Sequence, residues 1–596
     1  MSPKVSLSFL CVVLLAIAGE RVQSQERGED RPLVLKGATV IDGLGSSPVP
    51  EAVIVVERDR IKAVARKGSA YPSGANVIDV SGKFIIPGLV DSHVHYQPWL
   101  GEMFLNYGVT SVMIPGGDYS TADREASYQS TARMPRIFAT GGRPALQPNM
   151  TREQVRAAVQ EWLRNKKPEY ANPSVYNDGN AQVYRWAAED LHDAGLVWFG
   201  HTENAPQSIK DGQDVVEHLW GFAEALMSPK ELEGFQRGEY LHWGLFLKDQ
   251  RRLDPMIKDA VAKGVYLNPT FMYEMGSQSA LARKFQNELQ TLFRDETLMT
   301  YFPKNLPDGA VFKLQAARNF SRRYENLVAF SLLPPADRKQ FDEAYKLCGQ
   351  LLKKWVAAGG RIIGGTDDPS SGIAGLTLHM EMAMMVESGL TRMQALQSVT
   401  GWSAALLNGR RKTASIPTVG VIAGGAYADL VVLGADPLDN IGNTKKIERV
   451  MKGGRFVQLG YTTSYGAPKP AETAIIPKTP EPEISAVAPY VVVEGSPDFE
   501  IAVNGVGFMG NSVVRVDDIP VPTTFVDIRT VRAKVPAAAV SRALPNRFNA
   551  PGPEQNNGVY GDKTVKITVF NGPPDGGLSN SISLRVIAKW MADEKN

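Results

Sequence analysis

Two histidines separated by one residue close an apolar run in the sequence FIIPGLVDSHVHYQP, which covers residues 84–98. If this run is a β-strand, its side chains alternate between two faces, so Asp91, His93 and His95 point the same way. A strand that is buried on both faces carries three polar groups on one of them only where something binds those groups. Imidazole and carboxylate are ligands of zinc, iron, manganese and nickel in hydrolytic sites. The spacing therefore suggests a metal site at the end of this strand.

Polar residues also close other short apolar runs of the chain. His201 ends the sequence GLVWFGH, His218 follows DVVE, and Asp367 ends RIIGGTD. A lone histidine at a strand end is usually a hydrogen-bonding partner and nothing more. Here His93, His95 and these three residues make five such groups on four predicted strands, which argues against coincidence. We expect them to converge on one metal site.

The remaining histidines of the mature chain do not follow this pattern. His192 lies in a predicted helix, His379 begins another, and His242 follows no clear strand end. We interpret all three as structural. Cys348 lies in the helical pattern EAYKLCGQLLKKW and is interpreted as a small core residue rather than a nucleophile.

One unit recurs through the middle of the chain and would position these residues: an amphipathic helix, a glycine, a short apolar strand and a polar residue. The glycines suit the left-handed position just past a helix end. The candidate strands are residues 89–95, 109–114, 136–140, 170–176, 196–201, 214–218, 265–270 and 361–367. Eight such units predict an α/β fold, a (β/α)8 TIM barrel with its functional groups at the carboxyl ends of the strands.

The rest of the chain divides by composition. The predicted domains are a signal peptide (1–24), a small composite β-sandwich built from both flanks of the barrel (33–88 and 414–461), the barrel (89–413) with a helical insertion at about 276–350, a proline-rich linker (462–483), and an antiparallel, immunoglobulin-like β-sandwich (484–588). The sandwich is predicted from apolar residues that alternate with a period of two.

Composition and charge narrow the class of protein. The chain has 596 residues, a formal net charge of +2 and no long run of one sign, which argues against nucleic acid as the main partner. Lys4, the apolar stretch 7–18 and the small residues before position 25 resemble a secretory signal. We therefore expect a secreted or periplasmic protein, and no other segment is apolar and long enough to span a bilayer.

The motifs IIPGLVDSHVH, GHTENA, VEHLWG and GGTDDP, with the closing segment TASIPTVGVIAGGAYADLVVLGADPLDNIGNTKKIERVMKGGRFV, resemble those of the amidohydrolase superfamily. The likeness is to its imidazolonepropionase- and prolidase-like branch and covers roughly residues 33–461. The segment GSPDFEIAVNGVGFMGNSVVRVDDIPVPTTF resembles bacterial IPT/TIG modules, with Gly505-Val506-Gly507-Phe508 at the expected place.

The resemblance implies a role for each candidate residue. His93 and His95 match the ligands of the first strand, His201 that of the fifth, His218 the histidine of the sixth, and Asp367 the aspartate of the eighth. Asp368 is the neighbouring alternative to Asp367. The implied cofactor is a divalent metal, with zinc as the first expectation.

One departure from the family concerns the number of ions. Many members of this branch bridge two ions with a carboxylated lysine at the end of the fourth strand, but the chain has no lysine between Lys167 and Lys210. Ser174 or Val175 stands near that place, and Lys166 and Lys167 come too early. One ion is therefore expected rather than two. Glu169 or Asp178 is the alternative bridging carboxylate.

In the one-ion interpretation, His93, His95, His201 and Asp367 hold the ion. Asp367 also acts as the general base for the attacking water, and His218 orients or polarises the attacked group. The expected activity is hydrolysis of a carbon–nitrogen bond in an amide, cyclic amide or peptide-like small molecule. Tyr273, Glu274 and the 276–350 insertion either line the pocket or form a solvated lid surface.

Other functions stay open at this point. Within the enzymes, the alternative is a dipeptidase- or deaminase-like activity. In a different class, a degenerate barrel would serve binding or adhesion, with cell-surface or glycan contact through residues 484–588. A homo-oligomer is compatible with the sequence, which does not indicate the substrate.

Overall fold

The structure is a computed structural model. It describes residues 31–115, 119–172, 175–177, 179–236, 240, 242–275, 335–368, 373–408, 418–460, 481–489, 491–541, 562–572 and 576–587. The predicted signal peptide lies outside the described residues, as do most of the predicted helical insertion and most of the predicted linker. Within the described residues, no helix has the length and apolar character needed to cross a membrane.

The two flanks of the predicted barrel form one sheet. Its strands are β1 (Leu33–Val40), β2 (Val49–Glu57), β3 (Arg60–Ala65), β4 (Asn76–Asp79), β5 (Phe84–Pro87), β13 (Leu430–Leu433), β14 (Ile447–Lys452) and β15 (Arg455–Val457). The order is β15-β14-β13-β5-β1-β2-β3, with β4 also paired to β1. The antiparallel pair β5–β13 joins the flanks, with Leu430 opposite Pro87 and Leu433 opposite Phe84. Apolar side chains from both flanks share one core, as expected if neither flank is large enough to fold alone.

Between these flanks lie short parallel strands whose carboxyl ends carry the candidate ligands. They are β6 (Leu89–Asp91), β7 (Val109–Ile114), β8 (Arg136–Ala139), β9 (Phe199–Gly200), β10 (Val215–Glu217), β11 (Tyr266–Asn268) and β12 (Arg361–Ile362). They pair as β6-β7-β8 and as β12-β11-β10-β9. All of these pairs are parallel. Each strand falls inside a predicted strand, although most are shorter than predicted.

Hydrogen bonds and isolated bridges connect the two parallel sheets at both edges. On one side, Val94 forms a parallel bridge with Asp368, and His95 N donates to Asp368 O (2.7 Å). On the other side, Glu169 N donates to Ala139 O (3.1 Å) at the end of β8. The same segment then forms parallel bridges to residues around β9, Ala171 with Trp198 and Tyr176 with Thr202. The described residues of the predicted fourth strand, 170–172 and 175–176, therefore lie between β8 and β9.

Helices follow the parallel strands. They are α1 (Gly101–Asn106), α2 (Thr121–Ser127), α3 (Arg152–Lys166), α4 (Ala181–Asp193), α5 (Ala205–Lys210), α6 (Trp220–Glu224), α7 (Pro229–Gln236), α8 (Gln250–Ala262), α9 (Phe271–Met275), α10 (Pro335–Ala357), α11 (Leu376–Glu387), α12 (Arg392–Ser398) and α13 (Gly401–Asn408). Capping boxes begin α3 and α12, because the hydroxyls of Thr151 and Thr391 each accept from the backbone N–H three residues later and the glutamine there reaches back. Gly195 and Gly264 follow α4 and α8 with φ of 74° and 75°, as predicted.

The C-terminal region forms two sheets around a core of its own. The strands are β16 (Glu483–Ala488), β17 (Val491–Val493), β18 (Phe499–Val506), β19 (Val513–Val516), β20 (Ile519–Pro520), β21 (Thr523–Asp527), β22 (Thr530–Val535), β23 (Asp562–Phe570) and β24 (Ile582–Ile587). They pair as β16-β18-β22-β21 and β17-β24-β23-β19-β20. Alternate residues such as Ile501, Val503, Val565 and Ile567 are buried in one cluster. The predicted period of two is confirmed, while the IPT/TIG identity stays a prediction.

Candidate metal centre

The structure brings all five predicted ligands together. His201 and His218 directly follow β9 and β10, His93 and His95 lie just beyond β6, and Asp367 lies beyond β12. The ring centroid of His93 is 5.3 Å from that of His95, 5.7 Å from that of His218 and 6.5 Å from that of His201. Parallel strands place these residues at one edge because their carboxyl ends coincide there.

Three of these residues form what we term the first ligand group: His93, His95 and Asp367. The Asp367 Oδ1 atom lies 3.0 Å from His95 Nε2 and 3.5 Å from His93 Nε2. One ligand atom from each residue falls within 4.8 Å of the other two. Both Nε2 atoms face the carboxylate, so the three side chains point at a common position of the kind that a divalent cation occupies.

The second ligand group consists of His201, Glu217 and His218. The two imidazoles face each other, with Nε2 of His201 2.9 Å from Nε2 of His218 and the rings stacked at 4.8 Å. The Oε2 atom of Glu217 is 3.2 Å from the same His201 nitrogen. The ligand atoms of this group also fall within 4.8 Å of one another.

Glu217 is the site residue that the sequence interpretation missed. Its side chain is fully buried, and its Oε1 atom contacts Nδ1 of His93 in the first group. The signal was present in the motif VEHLWG, where a charged residue ends a run of buried apolar ones. Strict alternation along a strand, however, sends Glu217 and His218 to opposite faces. The backbone of His218 has φ of 62°, which ends the strand there and lets both side chains reach the site.

The backbone is strained at three residues of the site. His218, Asp367 and Thr270 have φ of 62°, 58° and 39°, values in the left-handed region that non-glycine residues seldom adopt. Such conformations cost of order 1–3 kcal/mol each and persist only when the surrounding structure imposes them. Among the described residues, three of the eight non-glycine residues with such a φ lie here, each just beyond a different strand of the site.

Further residues fix the orientation of these ligands. Asp91, predicted on the ligand face of the first strand, accepts from the hydroxyl of Thr366 (2.7 Å) and from its N–H (3.1 Å). It therefore ties the first strand to the residue before Asp367. Thr270 Oγ1 is 2.6 Å from Nδ1 of His218, and Glu274 Oε1 is 3.2 Å from the same nitrogen. Partners of this kind on the second ring nitrogen orient a ligating histidine and leave Nε2 for the ion.

Burial keeps the key imidazoles neutral. It lowers the pKa of His93 to about 4, although the Asp367 carboxylate opposes the shift. Burial is the main cause that holds the pKa of His201 well below its usual range, and the neighbouring His218 and His93 lower it further. Burial alone would raise the pKa of Asp367, but the adjacent His93 and His95 outweigh it and hold that pKa well below the usual value. Near pH 7, His93 and His201 are thus neutral and Asp367 is ionised, the protonation states in which these groups bind metals.

Several alternatives from the sequence are placed elsewhere. The Asp368 carboxylate is near Asp91. The pKa of Asp91 is raised well above its usual value, mainly by burial and in addition by the charge of Asp368. Glu169 contacts the guanidinium of Arg124 and accepts from Ala139 N (3.0 Å), so its carboxylate is engaged outside both ligand groups. Asp178 and Ser174 lie outside the described residues, and the ring of Tyr273 is tilted against that of His218, with the centroids 5.9 Å apart.

The histidines interpreted as structural belong to neither group. His379 is buried in α11, where Nδ1 lies 2.9 Å from Thr444 Oγ1 and Nε2 donates to Tyr107 O (2.9 Å). His192 pairs with Asp214 (2.8 Å), and His242 Nδ1 accepts from the N–H of Gly244 (3.0 Å). Cys348 is fully buried in α10.

The comparisons with known proteins cover limited parts of the sequence. No protein-family model matches the chain. A dihydroorotase of Trichlorobacter lovleyi is 44% identical over 66 residues, 11% of this chain and 15% of that protein. An adenine deaminase of a Chelativorans species is 29% identical over 150 residues, 22% of this chain and 25% of that protein. The chain spans a quarter or less of the length of the curated relatives that it matches.

Among solved structures, that of a putative prolidase from Bifidobacterium longum matches 72% of this chain and 96% of its own, with 19% sequence identity and a TM-score of 0.48. Segments of this chain are thus similar in sequence to proteins named for hydrolytic reactions at carbon–nitrogen bonds, dihydroorotase and adenine deaminase.

Proposed function

We propose that this protein is a metal-dependent amidohydrolase, in which an activated water attacks a carbon–nitrogen bond of an amide, cyclic amide or peptide-like small molecule. The observation that carries the proposal is the convergence of four imidazoles and two carboxylates at the carboxyl ends of parallel strands. The proposal includes closure of these strands into the (β/α)8 barrel and membership of the amidohydrolase superfamily. The segmental likeness to a dihydroorotase and an adenine deaminase supports the reaction class.

The residues present fit a divalent cation. Both nitrogens of His93, both carboxylate oxygens of Glu217 and Oδ1 of Asp367 are buried and make no hydrogen bond of regular geometry within the described residues. Buried polar atoms in that state are costly unless something binds them. Imidazole nitrogen and carboxylate oxygen together suit zinc, the ion that we propose.

Each side chain then has a distinct task. A bound divalent ion would act as a Lewis acid and would lower the pKa of a coordinated water to about 7. His93 and His95, whose Nε2 atoms face Asp367, would hold the ion. Asp367 takes the proton of the attacking water on a carboxylate oxygen and passes it to the leaving nitrogen. His218 faces the same space and stabilises the oxygen of the attacked carbonyl, directly or as an ion ligand.

The proposal extends to the rest of the chain. We propose export to the periplasm or the exterior, guided by residues 1–24, and an IPT/TIG module over residues 484–588. That module spaces or orients the enzyme, or contacts the cell surface. The apolar alternation in β18 and β23 supports a folded sandwich there.

Metal analysis combined with a substrate screen tests the function. The purified chain is assayed for bound metal and then with N-acyl amino acids, dipeptides and cyclic amides. We expect tightly bound divalent metal and hydrolysis of at least one class, both lost on His93→Ala. A metal-free, inert protein that binds glycan or protein through residues 484–588 would instead support a degenerate barrel used for adhesion.

A further inference from the structure

A fully buried glutamate in the middle of α11, Glu381, reaches the segment that follows β11. Its Oε1 atom accepts from the N–H of Phe271 (2.7 Å), and its Oε2 atom accepts from the N–H of Met272 (2.5 Å). These are the first two residues of α9, and the N–H groups of a first turn have no acceptor within their own helix. A buried carboxylate is costly unless hydrogen bonds compensate it, and here each oxygen has a charge-assisted bond. Glu381 therefore fixes the beginning of α9.

The beginning of α9 carries both groups that contact Nδ1 of His218. Thr270 directly precedes the helix, with Oγ1 2.6 Å from that nitrogen, and Glu274 lies one turn later, with Oε1 3.2 Å from it. The N–H of Glu274 donates to the carbonyl of Thr270 (3.0 Å) and closes the turn. Thr270 has a strained φ of 39°, which persists only where the surrounding structure imposes it. The bonds from Glu381 to the next two N–H groups supply that constraint.

The same contacts determine which nitrogen of His218 carries the ring proton. A hydroxyl has one proton to donate, and that of Thr270 is directed at the carbonyl of Pro269 (2.9 Å). Its oxygen is therefore left to accept from Nδ1 of His218, and the carboxylate of Glu274 also has no proton to donate. Nδ1 thus faces two acceptors and carries the proton. The lone pair of Nε2 then lies on the side of the site, toward His201.

We propose that Glu381 is a positioning residue, which holds the turn between β11 and α9 and thereby fixes His218 in its Nδ1–H form. Glu381 acts on the site through the backbone of α9 and through Thr270. The task of His218 in catalysis rests on the proposed function, whereas the position of its ring proton does not. The inference can therefore be tested with and without a substrate.

Nuclear magnetic resonance tests the position of the proton directly. The full chain, as purified, is labelled with nitrogen-15 in its seven histidines, because nitrogen shifts distinguish a ring nitrogen that carries a proton from one that does not. The signals of His218 are identified by their loss in His218→Gln. We expect a protonated Nδ1 in the wild type and a mixture of both ring forms in Glu381→Gln. Glutamine has one acceptor oxygen and turns a donor toward the second N–H of α9.

A double-mutant cycle tests the route through Thr270. Glu381→Gln should lower kcat about 10–100-fold and change KM less than about threefold, because the orientation of His218 affects the attacked group more than substrate binding. Thr270→Val keeps the shape of the side chain, removes the hydroxyl and should give a loss of similar size. The double variant should be within about threefold of the slower single variant, whereas independent effects would multiply.

Glu102→Gln is the matched control, because it changes another fully buried glutamate, one that pairs with Arg133. It should lower the free energy of unfolding and leave the His218 signals and kcat unchanged. Urea unfolding and circular dichroism verify that each variant is folded. Glu381→Asp keeps both acceptor oxygens on a shorter side chain and should give a smaller fraction of the second ring form than Glu381→Gln.

The outcomes separate this inference from the proposed function. Wild-type His218 signals in folded Glu381→Gln or, if that variant does not fold, in folded Glu381→Asp overturn the inference, whatever the activity. Losses of kcat that multiply in the double variant overturn the route through Thr270. A wild type that hydrolyses no amide but gives the expected spectra overturns the proposed function and supports the positioning role of Glu381.

Discussion

At the end of the eighth strand, two neighbouring aspartates have different surroundings. Asp367 directs its carboxylate at His95 Nε2 (3.0 Å) and at His93 Nε2 (3.5 Å). The carboxylate of Asp368 instead lies within electrostatic range of Asp91, and the backbone carbonyl of Asp368 accepts from His95 N. The left-handed backbone of Asp367 produces this difference, because it turns the two consecutive side chains to separate partners.

A pair of matched substitutions tests that difference. Asp367→Asn should lower kcat/KM by about 10²–10⁴-fold, because an amide neither accepts the proton of the attacking water nor balances the ion. Asp368→Asn preserves the proton acceptor and should retain most of the activity. Steady-state kinetics on the substrate found in the screen, with bound metal measured in parallel, gives the comparison. Equal losses in the two variants would contradict the assignment of the base to Asp367.

The ligands of the first group come together because β6 and the segment after β12 approach each other closely. Gly365 has no space for a side chain, because a Cβ atom there would lie 2.8 Å from Cβ of His93 and 2.8 Å from the Oδ1 atom of Asn268. The N–H of Asp367 donates to the carbonyl of His93 (2.9 Å) across the same gap. Packing of the backbone at this point therefore sets the separation of the ligands in the first group.

Gly365→Ala should weaken zinc binding by the first group at least about tenfold, since displacement of His93 lengthens the distance from one of its ligand atoms to the ion. Gly359→Ala is the control: open space surrounds that Cβ, but φ is 90°. It should cost about 1 kcal/mol of unfolding free energy and leave zinc affinity unchanged. Calorimetric titration and urea unfolding of both variants separate the effects. Undiminished zinc affinity in Gly365→Ala would show that the site tolerates a wider gap.

His379 illustrates how an element is held by a buried neutral imidazole. Burial lowers the pKa of His379 to about 4, and its two nitrogens connect α11 to Thr444 and to the carbonyl of Tyr107. The unfolded chain takes up a proton near pH 6.5, whereas the folded chain does not until about pH 4. The folded state is therefore destabilised as the pH falls through this window.

Between pH 7 and pH 5 this group alone should cost about 2 kcal/mol of unfolding free energy. His379→Gln removes the titration, so its urea midpoint should change less between these two pH values than that of the wild type. His192→Gln, which changes a histidine paired with Asp214 nearer the surface, should follow the wild type. Chelator-treated protein is used so that release of metal does not contribute. A wild-type pH dependence retained in His379→Gln would exclude this imidazole as its source.

The order of the helices and strands could be predicted from the sequence, because helix caps, glycines and short apolar runs are local signals. The strand β7 (Val109–Ile114) has the predicted bounds, and all five predicted ligands lie at strand ends. The role of Glu217 could not be predicted from the sequence, since the position of its side chain depends on the φ of His218 and on the approach of His93 from a distant strand. The partners of His218 depend likewise on the strained turn at Thr270, which side-chain periodicity does not encode.

At the scale of the whole molecule, folding of the described residues outside the C-terminal sandwich requires both flanks of the predicted barrel. The strand β13 pairs with β5, which leads directly into the first strand of the site. Leu430, Val431 and Ile86 are fully buried at this junction. Burial of such side chains contributes about 1.5–3 kcal/mol each, so loss of β13–β15 should be incompatible with a folded site. The C-terminal sandwich, in contrast, has a hydrophobic core of its own.

Two truncated chains test this division. A chain that ends at residue 460 keeps β13–β15 and should retain the zinc stoichiometry and kcat/KM within about threefold, because domains with separate cores fold separately. A chain that ends at residue 428 should lose cooperative unfolding and zinc binding, since it exposes the apolar partners of β13. Thermal unfolding, zinc content and activity are measured on both. If the longer chain is folded but inactive, the C-terminal sandwich contributes to the site, and the proposal that it only spaces or orients the enzyme would be wrong.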